Sequence, residues 1–325
     1  MANRKEVIFL KLKQSYGNYR YSTSNATREI YKNIEDNTFL EVANDRLPVF
    51  GQALEIDIPD KGRLFTSISA KMSVLAEKKW DVWTAYLCSN VPSQEKVNPW
   101  GEIERFVPEH ESRLGPELAG RVTIREGISM LPFDCIVYGR MRGNLWCAYQ
   151  QGHRQFGRVN LPEGLSYGDE LPKPVFIVAT ETPAKHCGRP IAFEEMASIV
   201  GNKGLATDIR WQCCRFFEEA YNFLSERGVI LADAKFRVGC GNDYRYIVFG
   251  DEVLTPDCSH FWDATTLANP ELIDSYDEQC IIDYFTANPQ VGGSDTSGVP
   301  EDLIWQTRQN YINFYELITG RSWTE

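Results

Sequence analysis

The chain contains, close together, the stretches Ile230-Leu-Ala-Asp-Ala-Lys-Phe-Arg-Val-Gly239 and Gly250-Asp-Glu-Val-Leu-Thr-Pro-Asp-Cys-Ser-His-Phe-Trp262, and these decide its fold. The apolar run at residues 229–232, which leads into the first stretch, predicts a strand. A turn is predicted over residues 239–243. Residues 244–249 then return as the partner strand. The pattern predicts an antiparallel hairpin with acidic residues just beyond its second strand.

Ionisable side chains share one face of the first predicted strand. Residues two apart on a strand point to the same side, so Asp233, Lys235 and Arg237 lie together. The returning strand brings Asp251 and Glu252 to the neighbouring end of the hairpin. Such a group is suited to hold Mg²⁺ and the phosphates of ATP, because Mg²⁺ prefers one or two carboxylates together with phosphate oxygens and water. A salt-bridged surface hairpin is the alternative interpretation.

Composition limits the possible function classes. With 43% hydrophobic and 24% charged residues, the 325-residue chain has the balance of a globular protein. Its formal net charge of −11 argues against a nucleic-acid partner, since binding phosphates requires a basic face. The N-terminal apolar run, residues 7–10, is too short for a secretory signal, and no later run is long enough to span a bilayer. We therefore expect a cytoplasmic protein with no membrane partner.

The cysteines do not indicate a special site. There are nine, and no pair is spaced as Cys-x-x-Cys, which favours neither a disulfide framework nor a zinc site. The oligomeric state is left open, a homo-oligomer included.

Hydrophobic patterning predicts an α+β protein of two lobes with a cleft between them. The first lobe is β-rich, covers residues 1–135, and has predicted strands at 37–43, 54–58 and 131–138. A helix between these strands has Thr66 or Ser67 as its predicted cap and Trp80 and Trp83 as core residues. The second lobe covers residues 136–325 and has predicted helices at 193–200, 207–227 and 303–320, the last closing the chain.

The two opening stretches resemble signature segments of SAICAR synthetase. That enzyme of purine synthesis joins aspartate to the carboxylate of a phosphoribosyl-aminoimidazole. Further segments match in the same order: Arg28-Glu-Ile-Tyr31, Asn44-Asp-Arg46, Leu131-Pro-Phe-Asp-Cys-Ile-Val137, Gly143-Asn-Leu-Trp146, Pro190-Ile-Ala-Phe-Glu-Glu-Met196, Ser275-Tyr-Asp-Glu-Gln279 and Tyr315-Glu-Leu-Ile-Thr-Gly320. The collinear series spans residues 28–323 and makes the chain resemble a diverged member of the family.

The resemblance implies an ATP-grasp-like arrangement of the SAICAR synthetase fold, with the first lobe binding nucleotide and ATP lying between the lobes. It implies that ATP phosphorylates a carboxylate, and that an amine then attacks the acyl phosphate and expels phosphate. Positioning and charge neutralisation would do most of the catalysis, because no protein nucleophile is required. The implied cofactors are ATP and Mg²⁺. The implied partners are a small-molecule carboxylate and an amino acid such as aspartate.

The resemblance also implies roles for individual residues. The catalytic candidates are Lys235, which also contacts phosphates, and Asp233. The candidates for binding ATP are Arg28 and, at the adenine, Asp134, Cys135 and Val137. The candidate magnesium ligands are Asp251 and Glu252. The candidates for binding substrate are Asp45, Arg46, Tyr138, Arg140, Arg142, Asn144, Ser259 and His260.

Three substrate positions depart from the family pattern. The family's Arg-Gly-x-x-x-Gly-Ser reads Tyr138-Gly-Arg-Met-Arg-Gly-Asn144, and its Ser-Ser-Arg-Phe-Trp reads Cys258-Ser-His-Phe-Trp262. In the family, those two arginines and the serine hold the 5′-phosphate of the ribotide. A charge-assisted hydrogen bond contributes roughly 1.5–3 kcal/mol, so losing two arginines would weaken binding by about two to four powers of ten. The leading hypothesis is therefore a ligase for a carboxylate without that phosphate, in specialised metabolism.

Two alternatives remain at this point. The first is an ordinary SAICAR synthetase whose phosphate site is rewired, with Arg140 and Arg142 binding the phosphate from a new direction. The second is a nucleotide-binding homologue without catalysis. The second alternative rests on further departures from the family, which include Arg237 in place of an acidic residue and Glu278 in place of a lysine.

Overall fold

The computed structural model describes residues 16–49, 52–89, 118–180, 188–240, 246–267, 273–288 and 299–324. The strands are β1 (Tyr19–Ser24), β2 (Arg28–Asn33), β3 (Thr38–Ala43), β4 (Arg46–Val49), β5 (Gln52–Asp57), β6 (Tyr86–Ser89), β7 (Val122–Glu126), β8 (Ser129–Arg140), β9 (Gln155–Phe156), β10 (Val159–Asn160), β11 (Glu170–Thr180), β12 (Pro190–Ile191), β13 (Val229–Cys240), β14 (Ile247–Gly250) and β15 (Ser259–Asp263). The helices are α1 (Lys61–Lys79), α2 (Gly143–Gln150), α3 (Phe193–Val200), α4 (Lys203–Ser225), α5 (Gln279–Ala287) and α6 (Glu301–Thr319), with a 3₁₀ turn at Ala264–Thr266. None of the helices in these ranges combines the length and apolar character needed to cross a bilayer.

Two antiparallel sheets carry the fold. The five-stranded sheet has the order β1-β2-β3-β7-β6, and the predicted strand at 37–43 is its central strand β3. The six-stranded sheet has the order β12-β11-β8-β13-β14, with β15 also paired to β13. The predicted strand at 54–58 lies in the separate hairpin of β4 and β5. The expected α+β class is confirmed.

Strand β8 runs along the middle of the six-stranded sheet. It contains the predicted strand at 131–138 and extends it at both ends, because β11 and β13 pair with it on either side. The predicted boundary between lobes, after residue 135, therefore falls inside one strand. The division into two lobes stays a prediction.

The predicted hairpin is present as β13 and β14. The register opposes Arg237 to Gly250 and Cys240 to Ile247, so β13 continues past Gly239, where the turn was expected to begin. Apolar residues on both strands explain the extension, since Cys240 and Ile247 pair beyond Gly239 and are both buried. Residues 241–245 lie outside the described ranges.

Two helices begin earlier than the sequence predicted. Helix α1 begins at Lys61, so the expected caps Thr66 and Ser67 lie inside it and donate hydrogen bonds to the carbonyls of Gly62 and Arg63. Helix α4 begins at Lys203 rather than near residue 207, because the Asn202 side chain accepts hydrogen bonds from two amides of the first turn. A hydroxyl residue is a poor guide to a helix start, because inside a helix it can instead bond to a carbonyl four residues back.

The other helix predictions agree with the structure, except at one tryptophan. Helices α3 and α6 match the predicted ranges 193–200 and 303–320 within about two residues. Trp80 is buried as expected, but Trp83 lies beyond α1 and is 45% exposed beside Tyr246.

The main hydrophobic core lies between α4 and one face of the six-stranded sheet. Cys135, Val137 and Phe236 point into this core and pack with Phe216 and Phe217 of α4. The opposite face of β8 carries Ile136 and Tyr138, which pack with α2 and the β9–β10 hairpin in a second cluster. Because side chains alternate along a strand, the six-stranded sheet has one face filled by the helix and one on which polar residues can gather.

Candidate active site

Paired residues on β8 and β13 line the polar face of the six-stranded sheet. Directly opposed residues of antiparallel strands share a face, and the opposed pairs here are Tyr138 with Asp233, Ile136 with Lys235 and Asp134 with Arg237. The predicted common face of Asp233, Lys235 and Arg237 is consistent with this register. The sheet thus gathers two basic and two acidic side chains from strands that are about one hundred residues apart in sequence.

Asp233 is the centre of a buried polar cluster. One of its oxygens is bonded to Arg142 Nη1, and the other lies 2.8 Å from His260 Nδ1. Burial alone would raise the pKa of Asp233, but the charge of Arg142 and the interaction with His260 outweigh it and hold that pKa well below its usual range. Asp233 is therefore ionised. Because an ionised carboxylate only accepts hydrogen bonds, the hydrogen of this His260 contact lies on Nδ1.

Lys235 is the cation of this face that has no counter-ion. It is half-buried, and no ion pair or side-chain hydrogen bond joins it to any residue in the described ranges. Its main-chain amide donates a 2.8 Å bond to the Cys258 carbonyl, which fixes the strand beneath it. An unpaired lysine next to a buried, fully paired carboxylate is a ready site for an anion.

Arg28 joins the two sheets. Its guanidinium lies 3.3 Å from Glu41 and 2.5 Å from Asp251, and it also contacts Glu252. Burial would lower the pKa of Arg28, but the three carboxylates raise it well above its ordinary value. The cation predicted to bind ATP is thus already surrounded by negative charge.

The loop after β14 is held in a strained shape. Asp251 has a φ of 61°, which a residue other than glycine rarely adopts. Its carbonyl accepts from Arg125, and its Oδ1 accepts from Arg28 and from the Glu252 amide. Such strain persists only where surrounding contacts enforce it, and it is common at functional sites.

The two predicted magnesium ligands are not equivalent. Burial raises the pKa of Glu252, whose side chain faces Arg28, and both features make it a poor metal ligand. Asp251 is 34% exposed. Burial alone would raise the pKa of Asp251, but the charges of Arg28, Arg125 and Arg237 outweigh this effect and hold the pKa well below its usual range. Among the described residues, no group of three acidic, histidine or cysteine side chains could hold a metal ion. A magnesium ion therefore fits at Asp251 only when phosphate oxygens and water complete its shell.

The predicted adenine residues lie on different faces of β8. Asp134 is on the polar face, 3.7 Å from Arg237. Cys135 and Val137 point into the core against α4, and their strand is paired on both sides. The side chains of Cys135 and Val137 are therefore not brought to the polar face, and their contact with adenine stays a prediction.

Most of the predicted substrate residues are tied to protein partners. Asp45 is held by two hydrogen bonds from Arg121, at 2.6 and 2.9 Å, and Arg46 is half-buried on β4. Arg140 donates to Glu170 and to Tyr221. Ser259 is fully buried beside Cys258.

A cavity of about 900 Å³ opens beside β8 at the edge of β11. Tyr138 and Asn144 line it, as does Ile136, the residue opposite Lys235. Its other walls include Arg158 and Arg210, which lie 5.9 and 4.7 Å from the centre of the Phe193 ring. Neither arginine forms an ion pair with a residue of the described part of the chain. The cavity thus combines an apolar wall with two unpaired cations.

A sequence profile of the SAICAR synthetase family matches residues 24–296. The chain belongs to the SAICAR synthetase family. Phosphoribosylaminoimidazole-succinocarboxamide synthase of Schizosaccharomyces pombe is 31% identical over 298 residues, which cover 91% of this chain and 93% of the relative. The synthase of the same name from Corynebacterium ammoniagenes is 30% identical over 316 residues, 95% and 97% of the two chains.

A solved structure agrees with the family assignment. SAICAR synthase from Saccharomyces cerevisiae complexed with SAICAR matches with a TM-score of 0.76 at 28% identity, covering 95% of this chain and 97% of that chain. SAICAR synthetases are ATP-dependent carbon–nitrogen ligases, so the expected enzyme class is confirmed at the level of the family.

In this SAICAR synthetase family member, four residues near the site or the cavity were not singled out by the sequence. They are Arg125, Asp277, Arg158 and Arg210. Arg125 is bound to Asp251, and Asp277 approaches His260. No local motif marks the three arginines, because each reaches its place only through packing between distant elements. The resemblance could have drawn attention to Asp277, which lies in the matching segment Ser275-Tyr-Asp-Glu-Gln279.

Proposed function

We propose that this chain joins a ribotide carboxylate to the amine of aspartate through an acyl phosphate, the reaction for which its relatives are named. The observation that carries the proposal is the unpaired Lys235, set between Asp233 and Arg237 on the polar face. A half-buried cation without a counter-ion can neutralise the charge on a transferring phosphoryl group, because no existing ion pair has to be broken first.

The ATP-grasp-like arrangement expected from the resemblance remains part of this proposal. ATP would lie on the polar face, with its phosphates at Lys235 and near Arg237. Asp251 would hold a magnesium ion together with those phosphates, and Glu252 would instead fix Arg28. When bound, the ion supplies charge neutralisation for the phosphates.

The cavity supports a phosphorylated acid rather than the acid without phosphate that the sequence favoured. Arg142 and Arg140, the expected replacements for the lost family arginines, are already bound to carboxylates. Arg158 and Arg210 are not, and they line the same cavity as Tyr138 and Asn144. Burial and the charge of Arg158 both lower the pKa of Arg210, so a phosphate between the two groups would relieve their repulsion.

A carboxylate without the phosphate remains the second candidate. It is favoured by His260, which replaces a phosphate-binding arginine of the family and lies between carboxylates instead of facing an anion site. A homologue that has lost catalysis is the third, and unpaired Lys235 speaks against it.

The deciding experiment is ADP release with Mg-ATP and aspartate, run with the ribotide carboxylate and with its dephosphorylated form. Turnover of the ribotide alone supports the main proposal. Turnover of the dephosphorylated acid alone would overturn it in favour of the second candidate. ATP binding without turnover of either acid would count against both. The variant Asp251→Asn should abolish ADP formation, and retained turnover would remove Asp251 from the metal site.

A further inference from the structure

Asp277 is a buried carboxylate with one oxygen unused. It lies just before α5, its side chain is 1% exposed, and its Oδ1 accepts from the Gln279 amide. Its Oδ2 has no hydrogen-bond partner in the described structure, and it lies 3.9 Å from His260 Nε2. A buried carboxylate oxygen without a donor is costly, so the site is incomplete as it stands.

His260 connects this oxygen to Asp233. Its Nδ1 donates to Asp233 at 2.8 Å, which leaves Nε2 directed toward Asp277. The ring is 18% exposed and can therefore exchange protons with a ligand or with water. An imidazole oriented by an ionised carboxylate is the arrangement by which proteins make histidine a base.

The charges around His260 favour a cation. The groups that face it or its partner are Asp233 on β13, Asp277 before α5, Arg142 before α2, and Tyr167, which interacts with Arg142. Arg142 cancels Asp233, so with neutral imidazole the cluster carries the single negative charge of Asp277. That charge repels a phosphate and attracts an ammonium group.

We propose that the cluster of His260 and Asp277 binds the ammonium group of the amine substrate, and that His260 Nε2 removes its proton. This inference rests on the proposed ligase function. An ammonium nitrogen placed between Nε2 and Asp277 Oδ2 would donate to both, which would satisfy the unused oxygen. A protonated amine has no lone pair, so it cannot attack an acyl phosphate until it loses a proton.

The step balances without any further reagent. One ammonium proton passes to His260 Nε2, and the freed lone pair forms the carbon–nitrogen bond at the acyl carbon. The bond from that carbon to the phosphate oxygen breaks, and the phosphate leaves with the electron pair. A second proton leaves the nitrogen and ends on the phosphate as hydrogen phosphate. The imidazolium then returns its proton to water.

Hydroxylamine separates the two half-reactions, since it is neutral at the assay pH and attacks acyl phosphates without a base. The test compares wild type with His260→Gln under Mg-ATP and the ribotide carboxylate, with either aspartate or hydroxylamine. We expect amide formation to fall by roughly 10²- to 10⁴-fold in the variant, with hydroxamate formation nearly unchanged. The acidic limb of the pH–kcat profile with aspartate should also disappear.

The outcomes are distinct. Equal loss of amide and hydroxamate in His260→Gln would place the residue in carboxylate activation or in folding, and would overturn the proposal. Unchanged amide formation with an intact acidic limb would overturn it as well. If wild type forms no ATP-dependent hydroxamate from either form of the acid, the ligase function fails and the inference fails with it.

Asp277 gives an independent measurement. Asp277→Asn keeps the shape but removes the charge, so the KM for aspartate should rise by about 10- to 100-fold while the KM for ATP stays constant. Asp274→Asn is the matched control, because Asp274 is exposed three residues earlier and should change neither constant. An unchanged KM for aspartate in Asp277→Asn would contradict the ammonium site.

Discussion

Arg28 Nη1 donates a 2.5 Å hydrogen bond to Asp251 Oδ1 across 223 positions of the chain. This pair joins β2 of the five-stranded sheet to the loop after β14 of the six-stranded sheet. The proposed magnesium ligand is thus positioned by an arginine of the other sheet, so stability and site geometry depend on the same contact.

Replacing Arg28 should destabilise the fold strongly. The substitution Arg28→Gln leaves Glu41, Asp251 and Glu252 without their shared cation. Removing one partner of a buried ionic cluster costs about 3–5 kcal/mol, and we expect that loss in the free energy of unfolding by urea. Arg20→Gln is the control, since Arg20 is exposed on the neighbouring strand β1. A loss below about 1 kcal/mol for Arg28→Gln would mean that the cluster does not hold the sheets together.

Glu77 should make stability depend on pH near neutrality. It lies in α1, and burial raises its pKa to about 7 from 4.5, against the opposing bonds from Thr84. The folded state therefore holds the proton more tightly than the unfolded state. The contribution of Glu77 to the free energy of unfolding should be complete below pH 4.5. This contribution should be lost as the pH rises to about 7.

The variant Glu77→Gln isolates this effect. Glutamine can still accept from Thr84 but carries no charge, so at pH 8 it should stabilise the protein by roughly 1–3 kcal/mol. At pH 5 the difference from wild type should be small. Urea unfolding at both pH values measures it, with the exposed Glu226→Gln as control. Equal differences at the two pH values would exclude titration of Glu77 as the cause.

Lys235 should matter for chemistry and little for stability. Because Lys235 has no ion-pair partner among the described residues, Lys235→Met breaks no ion pair or side-chain hydrogen bond within them. The kcat for ADP release should fall by about 10²- to 10³-fold, as for removal of one group that stabilises transition-state charge. Lys173→Met, on the exposed part of β11, should leave kcat unchanged. Full activity in Lys235→Met would remove the observation on which the ligase proposal rests.

Arg210 should distinguish phosphorylated from dephosphorylated acid. In Arg210→Ala the cavity loses one of two unpaired cations, so the KM for the ribotide should rise by about 10- to 100-fold. The KM for the dephosphorylated acid should change less than about threefold. Arg189→Ala provides the control, since Arg189 is exposed and paired with Glu195. Equal effects on both acids would place the phosphate elsewhere.

Local patterns were sufficient for part of the site. The alternation of strand residues placed Asp233 and Lys235 on one face, and the hairpin pattern placed Asp251 and Glu252 just beyond the second strand. Both inferences need only neighbours in sequence and the two-residue repeat of a strand. The start of α1 could not be found in this way. Lys61, its first residue, is buried against Asp257, almost two hundred positions away.

The same limit applies to the roles of charged residues. Arg28 and Arg142 are of a residue type that commonly binds anions, yet each forms an ion pair with a carboxylate from a distant element. Arg158 and Arg210 have no distinguishing motif, yet they line a cavity and form no ion pair with any residue that the structure describes. Whether a guanidinium is available to a ligand depends on which carboxylates pack against it, and this is a property of three-dimensional contacts.

The sequence by itself determined the family, the α+β class and the hairpin that carries Lys235, because these follow from short motifs and from periodicity along the chain. Only the tertiary structure decided which charges are free. It paired Arg28 with Asp251 and Glu252, set His260 between Asp233 and Asp277, and left Lys235 without an ion-pair partner in the described part of the chain. The physical reason is that electrostatic interactions depend on distance and burial, and these residues, 17 to 224 positions apart, come together only when the chain folds.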